Sequence, residues 1–239
     1  MFPGPPKRLG LRDNKMDIER FHSYLVKWED IVFWSQDVSE EVRKSGYAPE
    51  LVIGLARGGW VPARLICDHM LVKNLCSLRT EHWGITAAPD GEARLAQPLS
   101  LDITGRRVLL VDDITDTGKS LEIAISHVKS RGPKELRVAT LLHIEGASLV
   151  PDYFSEKVPK ERWTWFIFPW NVDEDFYNLV PKTLYEPGQL CDIISRFRDQ
   201  FEIDAGEDGV KRALSILEKD GKISRSVVDG GEFFSLLDL

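Results

Sequence analysis

The stretch VLLVDDITDTGKS, from Val108 to Ser120, joins an apolar run, two adjacent aspartates and a small hydroxylated turn. The apolar run predicts a buried strand, and Leu121, Ala124 and Val128 behind the turn recur at helical spacing. The aspartates therefore stand at the carboxyl end of a strand, where open α/β sheets bind ligands. The backbone N–H groups at the start of the helix, together with the helix dipole, favour a phosphate there.

Three alternatives compete for this stretch. The nucleoside-triphosphate loop G-x-x-x-x-G-K-[ST] requires glycine where this chain has Asp113, and a carboxylate there would face phosphate with no cation between them. A receiver domain also has paired aspartates, but near its start, whereas here another strand–turn–helix unit comes first. The third alternative uses every residue, because two carboxylates suit a sugar diol or a hydrated Mg²⁺ and the turn suits a phosphate monoester. It indicates a phosphorylated pentose.

Strands and helices alternate on both sides of this stretch. LVIGLA (51–56) predicts a buried strand, and the RGG turn and VPARLICDHM that follow predict a tight turn and a helix. LRVATLLHI (136–144) predicts the next strand, and SLRTEHW, YFSEKVP and WTWFIFPW are interpreted as further strands. This alternation predicts an α/β fold with a mainly parallel twisted sheet flanked by helices.

The two ends of the chain differ in character from its centre. Residues 1–16 are interpreted as a flexible leader, and Asp17–Lys44 predict an amphipathic helical region that is broken once. Gly84–Pro98 is small, polar and interrupted by Gly and Pro, which is typical of a long hairpin or a mobile loop. We therefore predict one α/β domain over residues 17–187 and a helical C-terminal appendage over residues 188–239, with two helices and a short tail.

Composition narrows the function classes. The chain has 239 residues, of which 43% are hydrophobic, and this is enough for a sizeable core. Its net charge of -7 argues against a general nucleic-acid binder, which would show a basic surface. Its three cysteines (Cys67, Cys76 and Cys191) form no CxxC pair, so a structural zinc site and a disulfide framework have little support. No apolar run approaches the roughly 18 residues of a membrane span, and the N-terminus lacks the apolar centre of a signal peptide. We expect a cytoplasmic protein.

These motifs resemble the type I phosphoribosyltransferases. VLLVDDITDTGKS is similar to their phosphoribosyl-pyrophosphate signature of four apolar residues, two acidic residues and D-T-G, and LARGGWVPARL resembles their pyrophosphate loop and following helix. ASLVPDYF with ERWTWFIFPW resembles the purine-binding end of the bacterial xanthine–guanine enzymes, and YLVKWEDI resembles the opening of that subgroup. The resemblance covers residues 21–176. It implies the type I phosphoribosyltransferase fold with a small hood region.

The resemblance also implies an activity. Such an enzyme transfers ribose 5-phosphate from phosphoribosyl pyrophosphate to a purine base and releases a purine nucleoside 5′-monophosphate and pyrophosphate, with Mg²⁺ as cofactor. We expect a 6-oxopurine (hypoxanthine, guanine or xanthine) as the base, a homodimer or homotetramer, and no nucleic-acid or membrane partner. Two alternatives stay open: a transferase of this fold acting on adenine or a pyrimidine, and a regulator that senses phosphoribosyl pyrophosphate.

By the same resemblance, Arg57 with the backbone of Gly58 and Gly59 would grip the pyrophosphate, and the Ala56–Arg57 peptide bond would be cis. Asp112 and Asp113 would hold the ribose hydroxyls, directly or through Mg²⁺. The other predicted phosphoribosyl-pyrophosphate ligands lie in and beside the turn: Thr115, Asp116, Thr117, Gly118, Lys119 and Ser120.

The resemblance assigns Asp116, beside the purine N7, as the proton acceptor, and Asp116 and Arg57 as the catalytic residues. In the base site, Trp165 would stack on the purine and the Phe166 backbone would meet the base edge. His143 stands where the xanthine–guanine enzymes have a lysine that donates to the 6-oxo group. The Gly84–Pro98 loop would close over the reacting centre.

Overall fold

A computed structural model describes residues 19–82 and 93–237. The described residues contain ten strands and six α-helices, with short 3₁₀ turns at Lys160–Arg162 and Val180–Thr183. The strands are β1 (Ser23–Leu25), β2 (Leu51–Ala56), β3 (Leu75–His82), β4 (Ala93–Gln97), β5 (Arg107–Thr115), β6 (Glu135–Ile144), β7 (Tyr153–Val158), β8 (Trp165–Ile167), β9 (Ile223–Val228) and β10 (Gly231–Leu236). The helices are α1 (Trp28–Lys44), α2 (Trp60–Met70), α3 (Lys119–Ser130), α4 (Val172–Leu179), α5 (Leu190–Phe201) and α6 (Glu207–Lys219).

Contacts divide the chain into two compact units. One unit comprises Trp28–Glu161, and the other joins the chain before Trp28 to Arg162–Leu239. We call them the sheet unit and the terminal unit, and each is described by itself. The domain boundary predicted between residues 187 and 188 follows a different criterion, the change in sequence character after Pro187, and stays a prediction.

The sheet unit is built on six strands in the order β4-β3-β2-β5-β6-β7. All neighbours are parallel except β3 and β4, which are antiparallel. The predicted α/β fold with a mainly parallel sheet flanked by helices is therefore confirmed. Alternate residues of the central strands pack on opposite faces, with Leu110 in the core that includes α3 and Leu109 and Val111 in the core that includes α2.

The central strands differ in how far they extend at the carboxyl end of β5. β5 pairs with β2 only as far as Val111, opposite Gly54, but continues along β6 to Thr115, opposite His143. The end of β5 therefore projects beyond the last residue pair that it shares with β2. The chain after β2 turns over this projecting end before it enters α2.

The terminal unit has its own apolar core, built from α4, α5, α6 and the strands around them. The two helices predicted after residue 188 are confirmed as α5 and α6. The segment predicted as a short tail is instead an antiparallel hairpin of β9 and β10, and Phe234 of β10 forms a β-bridge with Gly188. Asp229 and Gly230 join its strands, and both have positive φ, as a type I′ hairpin turn requires.

Two other local predictions need correction or restriction. The helical region predicted from Asp17 begins at Trp28, and Ser23–Leu25 before it form strand β1, which pairs in parallel with β8. In the predicted Gly84–Pro98 segment, Ala93–Gln97 form β4, which fits the hairpin alternative, and residues 84–92 lie outside the described residues. The predicted leader, residues 1–16, also lies outside them.

Within residues 19–82 and 93–237, no helix has both the length and the apolar character to cross a membrane.

Candidate active site

The turn after β2 has no room for side chains. A Cβ atom on Gly58 would stand 2.1 Å from Oδ2 of Asp113, and one on Gly59 would stand 2.3 Å from the carbonyl oxygen of Val111. Both distances lie far inside van der Waals contact, so the turn can approach β5 this closely only with glycine at both positions. The backbone of residues 57–59 therefore lies directly against the strand end that carries the two aspartates.

This turn is braced by its own backbone and presents a cation. The N–H of Gly59 donates to the carbonyl of Leu55 at 2.8 Å, and the N–H of Trp60 donates to the carbonyl of Arg57 at 3.2 Å. The Ala56–Arg57 peptide bond is cis, which confirms that prediction. Arg57 is an exposed residue of this turn and supplies it with a positive charge.

Asp112 and Asp113 lie side by side near the end of β5. Oδ1 of Asp112 accepts the N–H of Asp113 at 3.0 Å, and Oδ1 of Asp113 accepts the N–H of Ile114 at 2.8 Å. Burial and the adjacent negative charge of Asp113 raise the pKa of the Asp112 carboxyl well above its usual value. Hydroxyl donors or a divalent cation between the two carboxylates would relieve that repulsion.

The carboxylate pair fits an Mg²⁺ ion that is shared with a phosphorylated ligand. Across residues 19–82 and 93–237, no group of three or more His, Cys, Asp or Glu side chains converges to hold a metal. Mg²⁺ is commonly bound by one or two carboxylates, with phosphate oxygens and water completing its coordination. The hard oxygen atoms of Asp112 and Asp113 are donors of this kind.

The turn that follows β5 leads into α3 through a left-handed glycine. Gly118 has a φ of +90° and caps α3, and a Cβ there would stand 2.8 Å from Oγ of Ser148. The carbonyl of Thr117 accepts both the N–H of Ser148 at 3.0 Å and its hydroxyl at 2.9 Å. Ser148 thus holds the turn from the far side and leaves the first turn of α3, with Lys119 and Ser120, at the helix N-terminus that favours anions.

Asp116 lies at the surface of the same turn. Although the residue is exposed, the surrounding protein partly desolvates its carboxyl and raises its pKa. A carboxylate with a raised pKa is a stronger proton acceptor once it is ionised. These properties suit the role predicted for Asp116.

Two predicted site residues are more enclosed than the sequence indicated. The Thr115 hydroxyl is buried and donates to Thr140 at 3.2 Å, so a ligand contact by Thr115 would fall to its backbone. His143 is only 3% exposed, and its ring lies 5.1 Å from that of Phe154. Burial lowers the pKa of His143 and so favours the neutral imidazole. Its contact with a base stays a prediction.

Trp165 and Phe166 belong to β8 of the terminal unit. The Trp165 ring packs against the core of that unit, with its centroid 6.4 Å from that of Phe21, and its indole N–H donates to Oδ1 of Asp175 at 3.3 Å. The Phe166 ring meets that of Tyr24 edge-on at 6.0 Å. The indole of Trp165 is thus held by a specific polar contact, while its role in base binding stays a prediction.

Sequence reasoning missed Ser148 and Asp175. Ser148 is 31 residues from Thr117 along the chain, so no helical or strand spacing connects them. Asp175 follows Asp173 and Glu174 in the first turn of α4, where acidic residues are common for electrostatic reasons alone. Its near-complete burial, at 5% exposure, sets it apart, and only the structure shows it.

The family model of the phosphoribosyl transferase domain matches residues 25–176 of this chain. The chain belongs to this family. The match spans the glycine turn, the paired aspartates, the turn into α3 and strand β8, and it ends in α4. The chain is therefore an enzyme of the phosphoribosyltransferase class with the type I fold, and members of this family use Mg²⁺ together with phosphoribosyl pyrophosphate.

Two bacterial relatives support the assignment. The xanthine-guanine phosphoribosyltransferase of Desulfotalea psychrophila is 32% identical over 52% of this chain and 72% of its own length. The hypoxanthine-guanine phosphoribosyltransferase of Lactococcus lactis is 31% identical over 66% of this chain and 86% of its own length.

Solved structures agree on the fold. The purine phosphoribosyltransferase of Pyrococcus horikoshii has 29% sequence identity and a TM-score of 0.55, covering 63% of this chain and 94% of that one. The xanthine-guanine-hypoxanthine phosphoribosyltransferase of Helicobacter pylori has 22% identity and a TM-score of 0.53, covering 64% and 97%, and shows the shared fold alone.

Proposed function

We propose that this phosphoribosyltransferase is a purine salvage enzyme. It joins a 6-oxopurine (hypoxanthine, guanine or xanthine) to phosphoribosyl pyrophosphate and forms the purine nucleoside 5′-monophosphate and pyrophosphate. The relatives from D. psychrophila and L. lactis support a 6-oxopurine, since they are a xanthine-guanine and a hypoxanthine-guanine phosphoribosyltransferase.

One observation carries the proposal: the RGG turn packs closely against the paired aspartates, and Gly58 contacts the carboxylate of Asp113. This packing sets the exposed Arg57 and the carboxylate pair at one edge of the sheet. The reaction needs that combination, because the leaving pyrophosphate gathers negative charge while the ribose becomes cationic. Groups fixed in advance near those charges stabilise the transition state without further reorganisation.

The predicted site residues of the sheet unit then have roles in binding or orienting the substrate. Arg57 and the backbone of Gly58 and Gly59 hold the pyrophosphate, and Asp112 and Asp113 accept hydrogen bonds from the ribose hydroxyls. The first turn of α3 and the residues before it, Thr115 to Ser120, hold the 5-phosphate. When bound at Asp112 and Asp113, Mg²⁺ supplies charge neutralisation for the pyrophosphate.

Asp116 accepts the proton from the purine. The base must lose a proton as the new bond to ribose forms, and a carboxylate with a raised pKa beside the ring nitrogen takes it effectively. Trp165 stacks on the base and the Phe166 backbone meets its edge. His143, neutral and buried, donates to the 6-oxo group. We also propose a homodimer or homotetramer, which light scattering on the purified chain tests.

The test is a product screen. Purified protein is incubated with phosphoribosyl pyrophosphate, Mg²⁺ and one base at a time, and both pyrophosphate release and the nucleotide product are measured. Hypoxanthine, guanine and xanthine are compared with adenine, uracil and orotate. Turnover with at least one 6-oxopurine is expected. Turnover only with adenine or a pyrimidine would move the chain to another base class, and no turnover at all would exclude the enzyme.

The alternative of a regulator has one observation in its favour. α5 and α6 are consecutive helices followed by a hairpin, an order that resembles helix-turn-helix DNA-binding modules. However, basic residues of this region are ion-paired: Lys211 with Glu207, Arg212 with Asp173, and Arg225 with Glu218 and Glu232. Those pairings oppose the basic surface that nucleic acid requires. Retention of DNA or RNA by a protein that binds phosphoribosyl pyrophosphate without turnover would favour the regulator.

A further inference from the structure

Trp165 is held by two kinds of contact within the terminal unit. Its indole N–H donates to the carboxyl of Asp175. Phe21 also packs against its ring, and the Phe21 ring lies 4.9 Å from that of Phe201. A tryptophan fixed by both a directional hydrogen bond and aromatic packing has one preferred ring orientation.

The aromatic contacts continue through the C-terminal segment and return to Asp175. Phe201 lies 4.8 Å from Phe197, and Phe197 lies 5.1 Å from Phe176, which adjoins Asp175 in α4. Phe197 and Phe201 belong to α5, beyond residue 176 where the family match ends. The rings thus form a series of contacts within the core, from Trp165 to the residue beside Asp175, and α5 supplies two members of it.

Helix α6 packs against Phe176, one of these aromatic rings. A Cβ on Gly209 would stand 2.5 Å from Cε2 of Phe176, so α6 lies in direct contact with that ring. Phe176 is 1% exposed, so it has little room to shift in the close-packed core of the terminal unit. The C-terminal segment therefore packs against the residue that follows Asp175 in α4.

We propose that Asp175 is a positioning residue that sets the plane of Trp165 for purine stacking, and that α5 and α6 are the support that fixes Asp175. This inference rests on the proposed function, because it takes Trp165 as the base platform. It assigns a role in base recognition to a segment that the family match does not include. The physical reason is pre-organisation: a ring already held in its binding orientation loses little conformational entropy when the base stacks on it.

The test separates orientation from general stability. Asp175→Asn keeps an oxygen acceptor for the indole, whereas Asp175→Leu removes it at similar size. We expect Asp175→Leu to raise KM for the purine about tenfold, the usual effect of losing one well-placed hydrogen bond, and to leave KM for phosphoribosyl pyrophosphate within about twofold. Asp175→Asn should recover most of that loss. Asp173→Asn and Asp173→Leu are matched controls, because Asp173 lies in the same helical turn in an exposed ion pair with Arg212 that contributes little.

A double-mutant cycle decides whether Asp175 acts through Trp165. In a Trp165→Phe background, which has no indole N–H, Asp175→Leu should change purine KM by less than about twofold. An undiminished effect there, or equal rises in both KM values in the single variant, would overturn the proposal. Gly209→Ala, which pushes on Phe176 from α6, should raise purine KM selectively as well, and a failure to do so would remove α6 from the proposed support.

A readout independent of activity keeps this inference distinct from the proposed function. The indole ¹H–¹⁵N resonance of Trp165, assigned by its loss in Trp165→Phe, should shift in Asp175→Leu and stay in place in Asp173→Leu. An unmoved resonance would refute the contact itself. Wild-type protein that uses no purine would instead refute the proposed function, and the resonance would still decide whether Asp175 orients Trp165.

Discussion

Gly58 shows how a single residue links the two motifs of the candidate site. The space for its missing Cβ is filled by the carboxylate of Asp113, and Gly59 lies equally close to the backbone of β5. The sequence contains both motifs, and the resemblance pairs them, but only the structure shows that they touch. The requirement for glycine here is therefore a matter of contact and not of turn conformation.

Gly58→Ala should accordingly weaken substrate binding as well as folding. Its Cβ would push Asp113 or the RGG turn out of place, at the usual overpacking cost of about 1–3 kcal/mol. We expect the Kd for phosphoribosyl pyrophosphate with Mg²⁺ to rise roughly tenfold or more in isothermal titration calorimetry. An unchanged Kd would mean that the contact between Gly58 and Asp113 does not shape the ligand site.

Asp116→Asn tests the proposed proton acceptor. The amide preserves size and polarity but cannot take the proton, so kcat should fall by about 10²–10⁴, the usual contribution of a general base. The Kd for phosphoribosyl pyrophosphate should stay within about threefold, since the turn keeps its backbone. Asp68→Asn, at an exposed position of α2, is the matched control. Equal losses in kcat and in binding would assign Asp116 to the substrate site and not to proton transfer.

Asp175 gives the stability of the protein a defined dependence on pH. Burial raises the pKa of Asp175 to about 7, so the folded protein keeps a proton that the unfolded chain, with its ordinary value of 3.8, has released. The free energy of unfolding should therefore fall as pH rises from about 4 to about 7, by a few kcal/mol at most, and then level off. In Asp175→Asn this part of the slope should vanish in urea titrations across that range. An identical slope in both proteins would contradict a buried, proton-retaining Asp175.

At the scale of elements, the sequence predicted those parts of the fold that are local. The sequence pattern predicts five of the central elements, because each combines an apolar run or a helical period with glycine or proline at its end. These elements are β2, α2, β5, α3 and β6. β1 was misread, since Phe21, Leu25 and Trp28 repeat at helical spacing while its pairing with Trp165–Ile167 is set by distant contacts. The β9–β10 hairpin carries a local signal, the Asp-Gly pair at residues 229 and 230, which is typical of a two-residue hairpin turn.

The candidate site divides in the same way. The paired aspartates, the RGG turn and the turn into α3 follow local motifs, so the resemblance could point to them. The burial of His143 and the hydroxyl contact of Thr115 depend on neighbouring strands. Ser148 and Asp175 depend on contacts between distant segments, and no spacing in the sequence reveals them.

Ser148 is the element-scale test of the phosphate turn. Its hydroxyl lies within hydrogen-bond distance of the carbonyl of Thr117 and of the carboxylate of Glu122 in α3, and donates its one proton to either of them, so it links the turn to the helix that follows. Ser148→Ala should raise KM for phosphoribosyl pyrophosphate by roughly threefold to tenfold, with a loss of about 1 kcal/mol in stability. Ser130→Ala, which removes a comparable hydroxyl contact at the other end of α3, should leave that KM unchanged. Similar KM values for both variants would show that Ser148 does not support the phosphate turn.

At the scale of the whole molecule, the family match covers residues 25–176 and so extends from the sheet unit into the terminal unit. The residues proposed to bind the substrate phosphates belong to the sheet unit, and Trp165, the proposed purine platform, is a residue of the terminal unit. The C-terminal helices share one core with that platform. Their aromatic residues therefore belong to the packing behind Trp165.

The overall charge makes a separate prediction about partners. With a net charge of -7 and with Lys211, Arg212 and Arg225 in ion pairs, the chain should not retain DNA or RNA in filter binding at about 0.15 M salt. Retention of nucleic acid that weakens as the salt concentration rises would contradict this expectation and would favour the alternative of a nucleic-acid-binding regulator.

The central claim is that one edge of the sheet binds the pyrophosphate, the ribose hydroxyls and the 5-phosphate of a single ligand. The most direct test is a crystal structure of the protein with Mg²⁺ and phosphoribosyl pyrophosphate. Arg57 and the Gly58–Gly59 backbone should contact the pyrophosphate, Asp112 and Asp113 the ribose hydroxyls or the Mg²⁺, and the Asp116–Ser120 turn the 5-phosphate. A ligand bound elsewhere, with these groups turned away from it, would contradict the account.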